Sequence, residues 1–243
     1  MLLYDTMIPM QNRVFILCLF LFLPTLGLAG DSECVILLHG LGRTHSSMSI
    51  LESALRKAHY FVVNKNYPST RKLIPVLANE YIPPMIAECV RHHKKQIHFV
   101  THSLGGIVLQ YYLKDHAIAG LKTIVMLAPP NHGSKLADQL HNQWYTRFLL
   151  GPVVKELTTQ KKNIHLRAGQ YKIGIIAGNF SFNPFANRIF GEPNDGKVAV
   201  SSTRMDQMSD FIVLPVSHTF MMNNVVVLKQ ILYFLAHGQF LRA

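Results

Sequence analysis

Residues 97–113 read IHFVTHSLGGIVLQYYL. Ile97, Phe99 and Val100 form a short apolar run bounded by polar residues, the signature of a buried strand. From Leu104 the chain changes to a helical apolar stretch that closes before Gly120. A strand that runs directly into a helix across Ser103 forces a sharp turn there. Gly105 and Gly106 relieve the crowding that such a turn creates, and the first amides of the helix face the serine oxygen, where negative charge can be stabilised. Thr101 occupies the second position before the serine, so the motif is T-x-S-x-G. A β-branched residue suits a strand end, although it crowds the turn.

Working outward, apolar runs at residues 34–38, 60–64, 122–127, 171–177 and 211–214 read as further strands. Helical spacing occupies residues 47–58, 73–90 and 223–235, with Pro75 near the start of the second helix and a kink or break expected at Pro83-Pro84. Continuous apolar strands separated by helices predict an α/β fold: a mostly parallel sheet of about six strands with helices on both faces. Residues 131–170 interrupt this rhythm. They combine a crossover with what reads as a small helical cap, carrying Leu136, Leu140, Trp144, Phe148, Leu149, Leu150, Val153 and Leu157.

A serine nucleophile needs a base to take its proton and an acid to orient that base. His218 follows the last strand and precedes the last helix, and is the candidate base. Asp195, in Asn194-Asp195-Gly196-Lys197-Val198, follows the fifth strand after a loop and is the candidate acid. Asp206 is the second choice of acid, while Asp210 begins a strand and belongs at the wrong sheet edge. His39-Gly40-Leu41-Gly42-Arg43 follows the first strand, where a glycine-rich turn can bring a backbone amide close to a bound group. The amides of Leu41 and Leu104 are the candidate oxyanion donors. His39 itself reads as structural, and His132, in Pro129-Pro130-Asn131-His132-Gly133, reads as lining the pocket. No histidine or cysteine spacing suits a metal, and no cofactor is expected.

Residues 14–23 (VFILCLFLFL) follow Arg13 and precede Pro24 and the small residues of Gly27-Leu28-Ala29. That layout predicts a secretory signal over residues 1–29 and an exported domain over residues 30–243, periplasmic or secreted. The run is shorter than the roughly 20 residues that span a bilayer, so an N-terminal membrane anchor is the alternative. Of the three cysteines, Cys18 falls inside the signal. Cys34 and Cys89 remain, on the sheet rim opposite the candidate site, and an exported pair invites a disulfide. The net charge is +11 and is scattered. It favours peripheral contact with anionic membrane or envelope surfaces, and no nucleic-acid-binding module is present. With 49% hydrophobic residues, the chain has ample material for one large core.

The motifs H-G-L-G-R, T-H-S-L-G-G, P-P-N-H-G-S, N-D-G-K-V and L-P-V-S-H-T-F-M-M, in that order, make the chain resemble the α/β-hydrolase superfamily, specifically its lipase-like serine esterases. The resemblance runs from Cys34 to Phe240. It implies a compact α/β-hydrolase fold, a Ser103–Asp195–His218 triad and hydrolysis of acyl esters through an acyl-enzyme. An acyl chain needs an apolar groove, for which Trp144, Phe148, Leu149, Phe180, Phe182 and Phe185 are the candidates. A thioesterase or acyltransferase would use the same triad. A non-catalytic, basic, envelope-binding protein on this scaffold is the reading from another class. The partner expected is a small-molecule or lipid ester.

Overall fold

The computed structural model describes residues 32–140, 151–158 and 164–242. The expected export signal and, of the groove candidates, Trp144, Phe148 and Leu149 fall outside the described residues, as does Leu150.

Six strands, β1 (Glu33–Leu38), β2 (Phe61–Asn64), β3 (Gln96–His102), β4 (Leu121–Leu127), β5 (Lys172–Gly178) and β6 (Asp210–Leu214), form one sheet in the order β2-β1-β3-β4-β5-β6. Every pairing is parallel. The sheet is buried on both faces, which is why its strands read as nearly continuous apolar runs. The pleat still sorts them. Cys34, Ile36 and Leu38 of β1 enter one core with Phe99, Ile124 and Ile175, while Val35 and Leu37 enter the other with Val100, Val125 and Ile176.

The first core is covered by α2 (Ile74–Arg91) and α3 (Leu104–Asp115), the second by α1 (Ser49–Lys57) and α6 (Val225–His237). Two short helices, α4 (Lys135–Leu140) and α5 (Pro184–Phe190), sit beside the C-terminal ends of β4 and β5, and a 3-10 turn spans Pro152–Leu157. Burying side chains such as Phe99, Leu51 and Phe234 completely stabilises the fold by about 1.5–3 kcal/mol each.

Two features differ from the sequence expectation. α2 runs as one helix through Pro83-Pro84. The prolines remove backbone donors, but Ile82 and Met85 on either side are fully buried, so tertiary packing keeps the helix in one piece. Residues 184–190 form α5 rather than open loop. Asn183 Oδ1 caps it by accepting from the amides of Phe185 and Ala186, at 3.0 and 3.3 Å. Seven residues are too few to display a helical period, so the cap is the only sequence signal.

Strand order also sets where a site can form. From β1 the chain crosses to β2 on one side, and from β3 it continues to β4 on the other. The loops leaving β1 and β3 therefore diverge and open a crevice at their C-terminal ends, the topological switch point of such sheets. Those two loops carry Gly40 and Ser103.

The opposite rim is tied together covalently and by charge. Cys34 and Cys89 are joined by a disulfide with Cα atoms 5.9 Å apart. Lys122 Nζ lies 2.9 Å from Glu33 Oε1. Asp210 pairs with Arg242 and accepts the amide of Phe240 at 2.7 Å, which secures the C-terminal segment and leaves Asp210 far from the switch point.

Candidate active site

Ser103 caps α3 with φ 54° and ψ −120°. This is a left-handed conformation that costs a non-glycine residue about 1–3 kcal/mol. The turn is held between two elements. The Ser103 amide donates to Leu127 O of β4 at 2.8 Å, and α3 presses on the end of β1 so closely that a Cβ on Gly105 would lie 2.5 Å from Leu38 O. Thr101 is fully buried, and its Oγ1 fills the space beside Gly106. The β-branched side chain is thus accommodated because the facing helix position has none.

The loop after β1 meets this turn directly. A Cβ on Gly40 would lie 2.8 Å from His102 Nδ1 and 3.3 Å from Ser103 Cβ, so only glycine permits the approach. His39 is a structural residue. Its Nδ1 bonds Gly40 O at 3.0 Å, its Nε2 accepts the Tyr67 amide at 3.4 Å, and its ring stacks on Tyr67 at 4.1 Å. Burial lowers the pKa of His39. Among the described residues, the amides of Leu41 and Leu104 donate to no protein acceptor, and Leu104 opens α3.

Asp195 and His218 are joined side chain to side chain and backbone to backbone. His218 Nδ1 donates to Asp195 Oδ2 at 2.7 Å, and the His218 amide donates to Asp195 O at 2.9 Å. The remaining carboxylate oxygen, Oδ1, accepts the amides of Lys197 and Val198 at 3.0 and 2.8 Å. Asp195 is 2% exposed and His218 4%. A buried carboxylate with both oxygens saturated is rigid, and it fixes which imidazole nitrogen carries the proton. His218 Nε2 is left for the chemistry.

His102 connects the two halves. Its ring lies 4.7 Å from that of His218, and its Nε2 donates to His218 O at 3.1 Å. Burial first, and the charge of His218 second, hold its pKa well below the ordinary imidazole range, so it stays neutral beside the candidate base. Its Nδ1 is buried without a partner. Ser103 Oγ makes no hydrogen bond to His218 among the described residues; the contact between the halves runs through His102. The sequence offers no signal for His102 beyond its place next to Ser103.

The other candidates are spread around this centre. His132 is exposed on the loop after β4, its amide donating to Ser202 O at 3.0 Å. That loop is braced from beneath by Gln110 Nε2 donating to Asn131 Oδ1 and Asn131 Nδ2 donating to Thr203 O, both at 2.7 Å. Asp206 lines a small cavity with His132, away from His218. Phe180, Phe182 and Phe185 follow β5 and are 44%, 75% and 64% exposed, with the first two rings edge to face at 4.5 Å. They form an open aromatic surface rather than an enclosed groove. Among the described residues, no cluster of histidine, cysteine or acidic side chains could hold a metal.

No protein-family model and no curated relative matches the chain. Solved structures do. It is similar to the mature lipase BlEst2 of Bacillus licheniformis, with TM-score 0.63 and 21% identity over 79% of this chain and 87% of that one. It is also similar to the metagenomic carboxyl esterase MGS0156, with TM-score 0.59 and 16% identity over 79% of this chain and 66% of that one. The phospholipase PlaB of Legionella pneumophila matches with TM-score 0.56 and 20% identity over 71% of this chain and 44% of that one. The fold is that of the α/β-hydrolases, and its structural neighbours are lipases and esterases.

Proposed function

We propose that the protein is a serine esterase that hydrolyses carboxylic esters through an acyl-enzyme on Ser103. The observation that carries this is the buried Asp195–His218 pair set against a serine in a strained strand-to-helix turn. In the forward step His218 Nε2 takes the Ser103 proton as Oγ attacks the acyl carbonyl. Asp195 holds the imidazole in orientation and stabilises the imidazolium. The amides of Leu41 and Leu104 bind the oxyanion. The alcohol leaves with the proton from His218, and water, activated by the same imidazole, releases the acid. The hydrogen bond from Ser103 to His218 is formed with substrate in place, since such bonds are often long in free enzymes.

The lipase and esterase neighbours support ester hydrolysis as the chemistry. The exposed phenylalanines after β5 support an ester with at least one apolar side, a small-molecule or lipid ester. Export is part of the proposal: the Cys34–Cys89 disulfide fits an oxidising compartment.

The test is labelling by a fluorophosphonate probe with hydrolysis of p-nitrophenyl esters of increasing chain length. Ser103→Ala is expected to abolish labelling and to lower turnover by about 10⁶. Residual activity above about a tenth of wild type would remove Ser103 from the mechanism, because only a dispensable serine could leave that much.

A further inference from the structure

A cavity of about 510 Å³ opens on the sheet rim opposite Ser103. It lies where β3, β4 and β5 begin and where α3 ends: Gln96, Leu121 and Tyr171 stand at the strand starts, Leu113 and His116 at the helix end. β3 spans seven residues at about 3.3 Å each, which puts the cavity roughly 20 Å from Ser103. Its volume falls in the range of small-molecule sites. At about 30 Å³ per group, it has room for a ligand of about ten to fifteen non-hydrogen atoms.

The walls are fixed before any ligand arrives. The Arg167 amide donates to Leu113 O at 3.1 Å, which ties the segment before β5 to the end of α3. The Tyr171 hydroxyl donates back to Arg167 O at 2.8 Å, and its ring lies so close to Gly169 that a Cβ there would collide with it. On the side formed by the start of β4, Gly120 holds a φ of 75° against Lys95 O, and its carbonyl accepts the Ile97 amide at 2.8 Å.

The lining has two chemistries. Leu113, Ile118, Leu121 and the ring of Tyr171 are apolar, whereas His116, Lys122 and Arg167 are basic. Among the described residues no acidic side chain lines the cavity. Lys122 is already paired with Glu33 at 2.9 Å, but Arg167 forms no ion pair among the described residues. The carbonyl end of a helix disfavours an anion. Here Tyr112 O accepts the His116 amide at 3.0 Å and Leu113 O accepts the Arg167 amide, so those carbonyls are spent on donors. An inorganic anion would leave the apolar wall facing water, and a neutral chain would leave the guanidinium fork without a counter-charge. A carboxylate on a short apolar chain satisfies both.

We propose that this cavity is a second ligand site, separate from Ser103, which binds medium-chain carboxylates with the charged end at Arg167 and the chain along Leu113, Ile118 and Leu121. The site does not depend on Ser103 being the nucleophile.

The experiment is calorimetric titration with octanoate, octan-1-ol and acetate at pH 7, with amide chemical shifts of ¹⁵N-labelled protein to locate the ligand. Octanoate is expected to bind at least about tenfold more tightly than either of the others, because only it uses both the charge and the apolar wall. The shifts should fall on residues 116–122 and 167–171. Arg167→Gln should weaken octanoate about tenfold and leave octan-1-ol unchanged. Ala168→Trp, which fills the cavity, should remove binding, and Ala117→Trp fills it from the helix side should the first variant fail to fold. All three variants should turn over p-nitrophenyl butyrate like the wild type.

Equal affinities for octanoate and octan-1-ol, octanoate binding unmoved by the tryptophan variants, or shifts confined to the Ser103 edge overturns the site. Octanoate binding at the cavity in a protein that neither hydrolyses p-nitrophenyl butyrate nor labels with a fluorophosphonate upholds this site and removes the esterase reading instead.

Discussion

Reducing the Cys34–Cys89 disulfide should cost the protein about 4 kcal/mol of stability and leave its chemistry nearly untouched. The bond joins residues 55 apart in sequence. It closes a loop containing most of β1, all of α1 and β2, and nearly all of α2. In the chain-entropy account the cross-link acts on the unfolded state, and a loop of this length corresponds to about 4 kcal/mol at room temperature. Both cysteines are fully buried, so reduction in the folded state adds two hydrogens to a packed site and exchanges a bond for a close contact of two sulfurs. That change adds to the loss rather than offsetting it. Cys34 is the second residue of β1, and the strand rises about 3.3 Å per residue, which puts the disulfide roughly 13 Å from the end of the strand at Leu38, short of the Gly40 turn. The assay is equilibrium urea unfolding of oxidised and reduced protein, followed by circular dichroism, with p-nitrophenyl ester turnover measured on both in the absence of denaturant. Reduced protein should unfold at lower urea with a larger m-value, because the released chain exposes more surface. A loss below about 1 kcal/mol with an unchanged m-value would show that the unfolded chain gains no freedom on reduction, and the loop-closure reasoning would be wrong for this molecule.

The other predictions concern single side chains. His102→Ala removes a ring packed on His218, worth about 0.5–1.5 kcal/mol, and leaves His218 O without its donor. If His102 is a positioning residue, His102→Ala should lower kcat by about tenfold or more while KM moves less than about threefold, and a raised KM with kcat unchanged would place it in binding instead. Ser103→Gly should be more stable than Ser103→Ala by about 1 kcal/mol in urea melts, since glycine accepts the φ of 54° and alanine does not; equal stabilities would mean that the turn is unstrained. Glu33 has its pKa lowered from 4.5 to about 2 by His98 and then Lys122, against the burial that raises it. A carboxyl with a depressed pKa contributes stability that is present above its unfolded value, near 4.5, and is lost as pH falls toward 2. Glu33→Gln should therefore lower the urea midpoint at pH 7, by roughly 1–3 kcal/mol in free energy, and the two proteins should converge near pH 2. A difference that persists unchanged at pH 2 would separate this contribution from the ionised carboxylate.

The fold was legible because a parallel sheet buried on both faces writes itself as apolar runs, and five of the six strands alternate with long, well-patterned helices. Ser103 was legible for the same reason: the strand and helix on either side of it leave no room for anything but a sharp turn. Asp195 and His218 could be ordered along the chain but not joined, because their contact is made by two loops 23 residues apart in sequence, and no local period encodes a loop's path. His102 was overlooked for a related reason. It sits beside a residue singled out in the sequence, but what matters is that it faces His218, which only the folded loops reveal. Pro83-Pro84 shows the converse case, where a strong local signal yields to packing.

The two ends of the sheet divide the work. At the N-terminal ends of the strands lie the disulfide at Cys34, the Glu33–Lys122 pair of β1 and β4, and the Asp210–Arg242 pair at the start of β6. At the C-terminal ends lie Gly40, Ser103, Asp195 and His218, with Ser103 itself in a strained turn. One end carries the covalent and ionic ties and the other the strained serine, and the rigid strands between them hold the two apart. This has a measurable consequence. Residues without shared partners and more than about 7–10 Å apart contribute additively. Combining Glu33→Gln with Ser103→Gly should therefore change the stability by the sum of the two single changes, within about 0.5 kcal/mol. A double variant that departs from that sum by more than about 1 kcal/mol would mean that the sheet transmits strain from one edge to the other, and the separation of the two ends would have to be abandoned.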